Sequence, residues 1–79
     1  EGRIKSNPDD LTAREQLGAV CFSAGENEVA MEQWLEIVRR GKGNIKENGR
    51  ENLIRTFEVL GSADQNVIHY RRLLAQALN

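Results

Sequence analysis

Apolar residues recur at helical spacing in four segments of this chain, and the pattern of the first half returns 36 residues later. Leu17, Cys21 and Ala24 follow the i, i+4, i+7 spacing of one helix face. No segment shows the sustained alternation of apolar and polar residues that predicts a strand. The matched pairs are Leu17/Leu53, Cys21/Phe57, Ala24/Leu60, Gly25/Gly61, Met31/Val67, Trp34/Tyr70, Ile37/Leu73 and Val38/Leu74. The pattern predicts an all-α solenoid of two helix–turn–helix repeats, about four helices in all.

Capping residues predict the limits of the first two helices. Asp10 follows Pro8 and is placed to cap a helix over 11–24, which Gly25 closes in a left-handed conformation. The second helix is expected over 28–40, with Met31, Trp34, Leu35 and Val38 buried.

The second repeat is expected to begin after a loop over 41–44. Asn48 with Glu51 resembles a capping box opening the third helix, and Gly61 is expected to close it. Ser62 with Gln65 forms a second such pattern before the last helix, which is expected to run to Leu78 with its apolar residues buried. Those residues are Val67, Tyr70, Leu73, Leu74 and Leu78.

Length and organisation favour a single repeat domain over 1–79. Repeat 1 spans about 11–42 and a degenerate repeat 2 about 47–79. Residues 1–6 read as the closing turn of an upstream helix, and we expect the chain to be a C-terminal fragment of a longer protein. The sequence leaves the oligomeric state open.

Charge and hydropathy narrow the class of partner. Eleven basic residues against 12 acidic ones give a net charge of −1, so no global field attracts nucleic acid or an anionic membrane. No apolar run is long enough for a membrane span. The single cysteine excludes an internal disulfide, and a reducing cytoplasm is the expected compartment.

The sequence shows no set of residues spaced for catalysis or metal binding. Cys21 lies at a core position equivalent to Phe57 and is expected to pack there, and His69 is expected to be a solvated helix residue. One cysteine and one histidine do not make a four-ligand zinc site. The sequence therefore predicts no catalytic residue, no cofactor and no metal site, and hence no enzyme.

Six residues of the first repeat resemble the tetratricopeptide-repeat signature. Leu17-Gly18, Cys21, Gly25, Ala30 and Trp34 stand at its spacing, and the small Gly18 and Ala30 would let two helices approach while Trp34 fills the gap. The pattern departs from the family at Arg14, where a tryptophan is usual, at Lys42, where proline is usual, and at Ile54, where the second repeat lacks the glycine.

The chain also resembles, more narrowly, the C-terminal repeat region of bacterial thioredoxin-like co-chaperones, the chaperedoxins. The resemblance rests on the segments at 7–10, 35–40, 49–53, 57–61 and 70–74, of which Tyr-Arg-Arg-Leu-Leu at 70–74 is the most telling. It implies a protein-interaction module that binds unfolding clients and a larger chaperone or chaperonin. In that family a thioredoxin-like domain precedes the repeats.

Five residues are the predicted protein-binding contacts. Phe22 lies off the Leu17–Cys21 stripe and is expected to point into the concave face, where it either contacts a client or is covered by a missing upstream repeat. In the first case Phe22 and Val59 hold non-native clients. The helix carrying Tyr70, Arg71 and Arg72 is expected to offer a docking edge for a larger chaperone.

Other modes of binding compete with this one. A clamp for a peptide C-terminal carboxylate is disfavoured. The family that forms it places a lysine and an asparagine on the groove side of the first helix, and here those positions hold Glu15 and Ala19. A generic tetratricopeptide adaptor for one defined partner and a regulatory or dimerising appendage of an upstream enzyme remain open alternatives.

Overall fold

A computed structural model describes residues 10–79 of the chain as four α-helices. They are α1 (Leu11–Ser23), α2 (Asn27–Arg40), α3 (Gly43–Leu60) and α4 (Gln65–Leu78), and no strand occurs within 10–79. The predicted all-α architecture of two helix pairs is confirmed. The expected end of an upstream helix lies outside the described residues.

The predicted N-cap of α1 and the predicted glycines after α1 and α3 are confirmed. The Asp10 carboxylate accepts a hydrogen bond from the Ala13 backbone N–H at 3.0 Å and so caps α1. Gly25 follows α1 with φ 83°, and Gly61 follows α3 with φ 92°. Both glycines occupy the left-handed region in which a side chain would be strained.

The predicted beginning of α3 is wrong by six residues, because the N-cap is Lys42 and not Asn48. Only Gly41 and Lys42 separate α2 from α3, and Gly43 makes the turn with φ 62°. Asn48 lies inside the helix instead of capping it. The additional turn is stabilised by Ile45, which is partly buried against the core.

The predicted capping box of α4 is also wrong. Asp64, not Ser62, is the N-cap, and its carboxylate accepts hydrogen bonds from the backbone N–H groups of Asn66 and Val67 at 2.8 and 3.1 Å. An aspartate also carries negative charge to the positive end of the helix dipole, which a serine does not.

The hydrophobic core lies along α2, which packs against α1 of its own repeat and against both helices of the second repeat. All four residues of the predicted α2 stripe are buried, and so are Val67, Tyr70 and Leu74 of α4. Leu73 is partly buried, and Leu78 is 47% exposed, which corrects its predicted burial. The full core cluster comprises Cys21, Ala30, Met31, Trp34, Leu35, Ile37, Val38, Leu53, Phe57, Val67, Tyr70 and Leu74.

Two glycines allow α2 to pack closely on both of its neighbours. A Cβ on Gly18 of α1 would lie 2.6 Å from Nε1 of Trp34, and a Cβ on Gly49 of α3 would lie 2.8 Å from a methyl of Ile37. Neither distance is compatible with a side chain unless the neighbour moves. The predicted close approach of Gly18 and Trp34 is confirmed.

The second helix pair is more open than the first. α3 and α4 have fewer close backbone approaches than α1 and α2. Ile54 stands in α3 at the position equivalent to Gly18 and is partly buried against the core.

A partly buried polar pair joins the two repeats. The Tyr70 hydroxyl of α4 donates to the Glu32 carboxylate of α2 at 2.8 Å, and Tyr70 is 4% exposed. Burial and the hydrogen bond to Glu32 both raise the pKa of Tyr70 well above its ordinary value, so the hydroxyl stays protonated as a donor.

We expect Gly18→Ala to destabilise the chain by about 1–2 kcal/mol. Overpacking against Trp34 costs about 1–3 kcal/mol, which exceeds the roughly 0.8–1.0 kcal/mol that alanine gains over glycine in a helix. Urea unfolding followed by circular dichroism measures the change. In a Trp34→Phe background the smaller ring relieves the overlap, and the same substitution should be close to neutral. A Gly18→Ala variant at least as stable as the wild type would contradict the close approach.

We expect Tyr70→Phe to lower the free energy of unfolding by about 1–2 kcal/mol, since it removes a partly buried hydrogen bond to a charged acceptor. A double-mutant cycle with Glu32→Ala, which removes the acceptor, isolates the pair, because the double variant then loses less than the sum of the single losses. Strictly additive losses would show that Tyr70 and Glu32 are not coupled.

Candidate protein-interaction groove

A groove of about 230 Å³ lies between α1 and α3, over the side of Trp34. We call it the α1–α3 groove. Four of its residues come from α1, one from α2 and three from α3: Glu15, Ala19, Phe22, Ser23, Trp34, Asn52, Arg55 and Thr56.

The floor of the α1–α3 groove is aromatic. The Phe22 and Trp34 rings have centroids 5.9 Å apart and are tilted by 57°. Trp34 is 4% exposed, whereas Phe22 is only partly buried and keeps surface open to the groove. The indole N–H of Trp34 has no hydrogen-bond acceptor among the described residues, and it lies against Gly18.

The two walls of the groove carry opposite charges. Glu15 lies on the α1 side and Arg55 on the α3 side. Arg55 Nη1 donates to the Asn52 side-chain oxygen at 3.4 Å, and the Thr56 hydroxyl donates to the Asn52 backbone carbonyl at 2.8 Å. The groove therefore combines an aromatic floor with one anionic and one cationic rim.

Phe22 and Val59 differ in their relation to the groove. Phe22 lines the groove, as its position off the buried stripe of α1 predicted. Val59 is 64% exposed, one turn after Arg55 on the same face of α3, and is not part of the groove lining. Their role in binding clients stays a prediction.

The other three predicted contacts lie on α4 and do not join Phe22 in one site. Tyr70 is buried and its hydroxyl is bonded to Glu32, so it offers little surface to a partner. The Arg71 guanidinium lies 5.6 Å from the centroid of the Phe57 ring. Arg72 is exposed. The predicted docking edge therefore depends on Arg71 and Arg72.

Two groove residues were missed by the sequence reasoning. Arg55 and Asn52 line the groove although neither was predicted as a site residue. The place of Arg55 could have been predicted from the 36-residue offset. Arg55 is equivalent to Ala19, which the sequence placed on the groove side of α1. Glu15 and Ala19 do lie in the groove, as the argument against a carboxylate clamp assumed.

Other residues with reactive side chains lie outside the groove lining. Cys21 is 9% exposed within the core, which confirms its predicted packing role. His69 is exposed and stands edge-on to the Tyr70 ring, with centroids 5.1 Å apart. Within 10–79, no group of histidine, cysteine, aspartate and glutamate residues is arranged to hold a metal ion. None of the helices in this part of the chain has the length and hydropathy to span a membrane.

Comparison with known families agrees with the helical architecture. The tetratricopeptide-repeat family matches residues 1–79, and the chain belongs to this family. Searches of curated proteins and of solved structures gave no match. Tetratricopeptide domains generally mediate protein–protein interactions.

Proposed function

We propose that this repeat binds an internal segment of another protein in the α1–α3 groove. The observation that carries the proposal is the aromatic floor of Phe22 and Trp34 between the oppositely charged Glu15 and Arg55. An apolar side chain of the bound segment packs on the floor. An acidic group on one side of that anchor pairs with Arg55, and a basic group on the other side pairs with Glu15.

The apolar anchor and the two charged residues contribute different amounts to the binding free energy. Burying a large apolar side chain contributes about 1.5–3 kcal/mol. An exposed ion pair contributes only about 0.2–1 kcal/mol. The anchor therefore supplies most of the affinity at this groove, while Glu15 and Arg55 set the orientation of the segment.

The lining of α1 disfavours a peptide C-terminus as the ligand. Glu15 and Ala19 leave the α1 wall without a cation, and Glu15 repels a terminal carboxylate. Arg55 alone, already hydrogen-bonded to Asn52, supplies the positive side. An internal segment with flanking charges of both signs fits the groove better.

Fluorescence anisotropy with synthetic peptides tests this assignment. The probe is a labelled peptide with a central leucine or phenylalanine, acidic residues on one side and basic residues on the other. We expect Phe22→Asp to abolish binding and Arg55→Glu to weaken it several-fold. The charge-exchanged Glu15→Arg, Arg55→Glu variant should prefer the peptide of reversed charge order.

Matched controls keep this test interpretable. Val29→Asp changes an exposed valine of α2 outside the groove and should bind as the wild type does. Arg55 is exposed, so its substitution does not threaten folding, and circular dichroism verifies the fold of Phe22→Asp. Unchanged binding by both Phe22→Asp and Arg55→Glu would show that the groove is not the site.

A narrower role is the one implied by the resemblance to thioredoxin-like co-chaperones, in which the repeat binds unfolding clients. The exposed Val59 supports it, because an apolar residue next to the groove widens the surface available to non-native segments. Arg71 and Arg72 of α4 would then contact a larger chaperone. In the adaptor alternative, binding saturates with one defined partner and denatured proteins are not bound.

A permanently unfolded probe separates the co-chaperone from the adaptor. We expect reduced, carboxymethylated α-lactalbumin to bind the wild-type chain and the Phe22→Asp, Val59→Asp double variant to lose that binding. A folded double variant that still binds the unfolded protein would remove both residues from the client site. If the wild type binds selected peptides but no unfolded protein, the adaptor role is favoured.

A further inference from the structure

One polar atom on the floor of the α1–α3 groove has no hydrogen-bond partner. The indole nitrogen of Trp34 is buried, and its N–H meets no acceptor among the described residues. Buried polar groups in folded proteins are almost always hydrogen-bonded, and one that is left without a partner costs free energy. Phe22, the other residue of the floor, has no polar side-chain atom. The Trp34 N–H is therefore the one hydrogen-bond donor that the two aromatic side chains can offer to a bound segment.

The position of Gly18 shows how this N–H is oriented. A Cβ on Gly18 would lie 2.6 Å from Nε1 of Trp34, 2.9 Å from Cε2 and 3.1 Å from Cδ1. Because the two carbons are almost as close as the nitrogen, α1 lies over the face of the indole at Nε1. A group beyond the N–H bond would be much farther from both carbons than from the nitrogen. The N–H bond lies in the plane of the ring, so it runs past the α1 backbone and is not directed into it.

The polar groups on the walls of the α1–α3 groove do not accept this hydrogen bond. Glu15 stands on the α1 wall, and its carboxylate is not bonded to the Trp34 N–H. On the α3 wall, the side-chain oxygen of Asn52 accepts a hydrogen bond from Arg55 Nη1 at 3.4 Å. An acceptor supplied by a bound segment therefore displaces no existing partner of the indole.

Phe22 is the groove-facing neighbour of this indole. Its ring centroid lies 5.9 Å from that of Trp34, with the two rings tilted by 57°. The Trp34 nitrogen has almost no exposed surface, so an acceptor reaches it only when a neighbouring side chain moves aside. Phe22 is partly buried and borders the open groove, so its ring can change rotamer at less cost than a side chain enclosed in the core.

We propose that the Trp34 N–H donates to a backbone carbonyl oxygen of the bound segment, beside its apolar anchor, and that the Phe22 ring covers this donor until the segment binds. The contact rests on the proposed binding of an internal segment in the α1–α3 groove, and it fixes the register in which the anchor sits on the floor. The indole has already lost its hydration in the free chain, so binding adds a hydrogen bond without a further desolvation cost for the donor.

Replacing Trp34 by an amino acid of the same shape without the N–H tests the donor directly. Trp34 is the single tryptophan of the chain, so β-(3-benzothienyl)alanine, in which sulfur takes the place of the indole N–H, can be incorporated at this position alone. The probe is the labelled peptide with a central leucine and flanking charges of both signs. We expect its Kd to rise about tenfold, while circular dichroism shows an unchanged fold. The matched control is 5-fluorotryptophan, which keeps the N–H and should bind as the wild type does.

The resonance of the indole proton reports the same contact without any change to the chain. It should move downfield when the peptide is added, because the proton then enters a hydrogen bond. In the free chain, Phe22→Ala should speed the exchange of this proton with water several-fold, since the covering ring is removed. Val59→Ala changes an exposed valine outside the groove lining and should leave that exchange unchanged.

Two results separate this contact from the binding function. Equal affinity of the sulfur analogue and the wild type, together with an indole proton that does not move on peptide addition, would overturn the contact and leave peptide binding in the groove standing. Unchanged proton exchange in Phe22→Ala would show that Phe22 is not the cover. If the wild-type chain binds no such peptide, the proposed function fails, and the contact fails with it.

Discussion

The close approach of α1 to α2 at Gly18 is the constraint on which the rest of this structure depends. With no Cβ at Gly18, the Trp34 indole lies directly against the α1 backbone. Phe22, one turn further along α1, then packs on the same ring and forms the floor of the α1–α3 groove. Gly49 lets α3 approach α2 in the same way from the other side, which places Asn52 and Arg55 opposite Glu15. Two missing side chains thus determine where the α1–α3 groove lies.

The two repeats share a pattern but not a packing density, and the difference gives the chain two kinds of surface. Ile54 stands where the first repeat has Gly18, and α3 and α4 have fewer close backbone approaches than α1 and α2. A groove between α3 and α4 is largely apolar, with Arg71 over Phe57 at its side. The α1–α3 groove, by contrast, has an aromatic floor of Phe22 and Trp34 and rims of opposite charge at Glu15 and Arg55.

Local sequence signals predicted the parts of this fold that depend on a few neighbouring residues. The helical period, the Asp10 cap and the positive-φ glycines after α1 and α3 follow from the spacing and chemistry of single segments. The early start of α3 did not, because it depends on Ile45 packing against a core formed by other helices. Likewise, the exposure of Leu78 and the place of Arg55 in the groove follow from how the repeats stack. The spacing of apolar residues within one helix does not show how the repeats stack.

The most direct test of this account is a nuclear Overhauser measurement between Gly18 and the Trp34 side chain. Trp34 is the single tryptophan, so its indole proton is assigned without ambiguity. The account predicts strong cross-peaks from the Gly18 α-protons to the indole N–H, and slow exchange of that buried proton with water. Absence of these cross-peaks, together with exchange as fast as in free indole, would contradict the close approach and with it the floor of the groove.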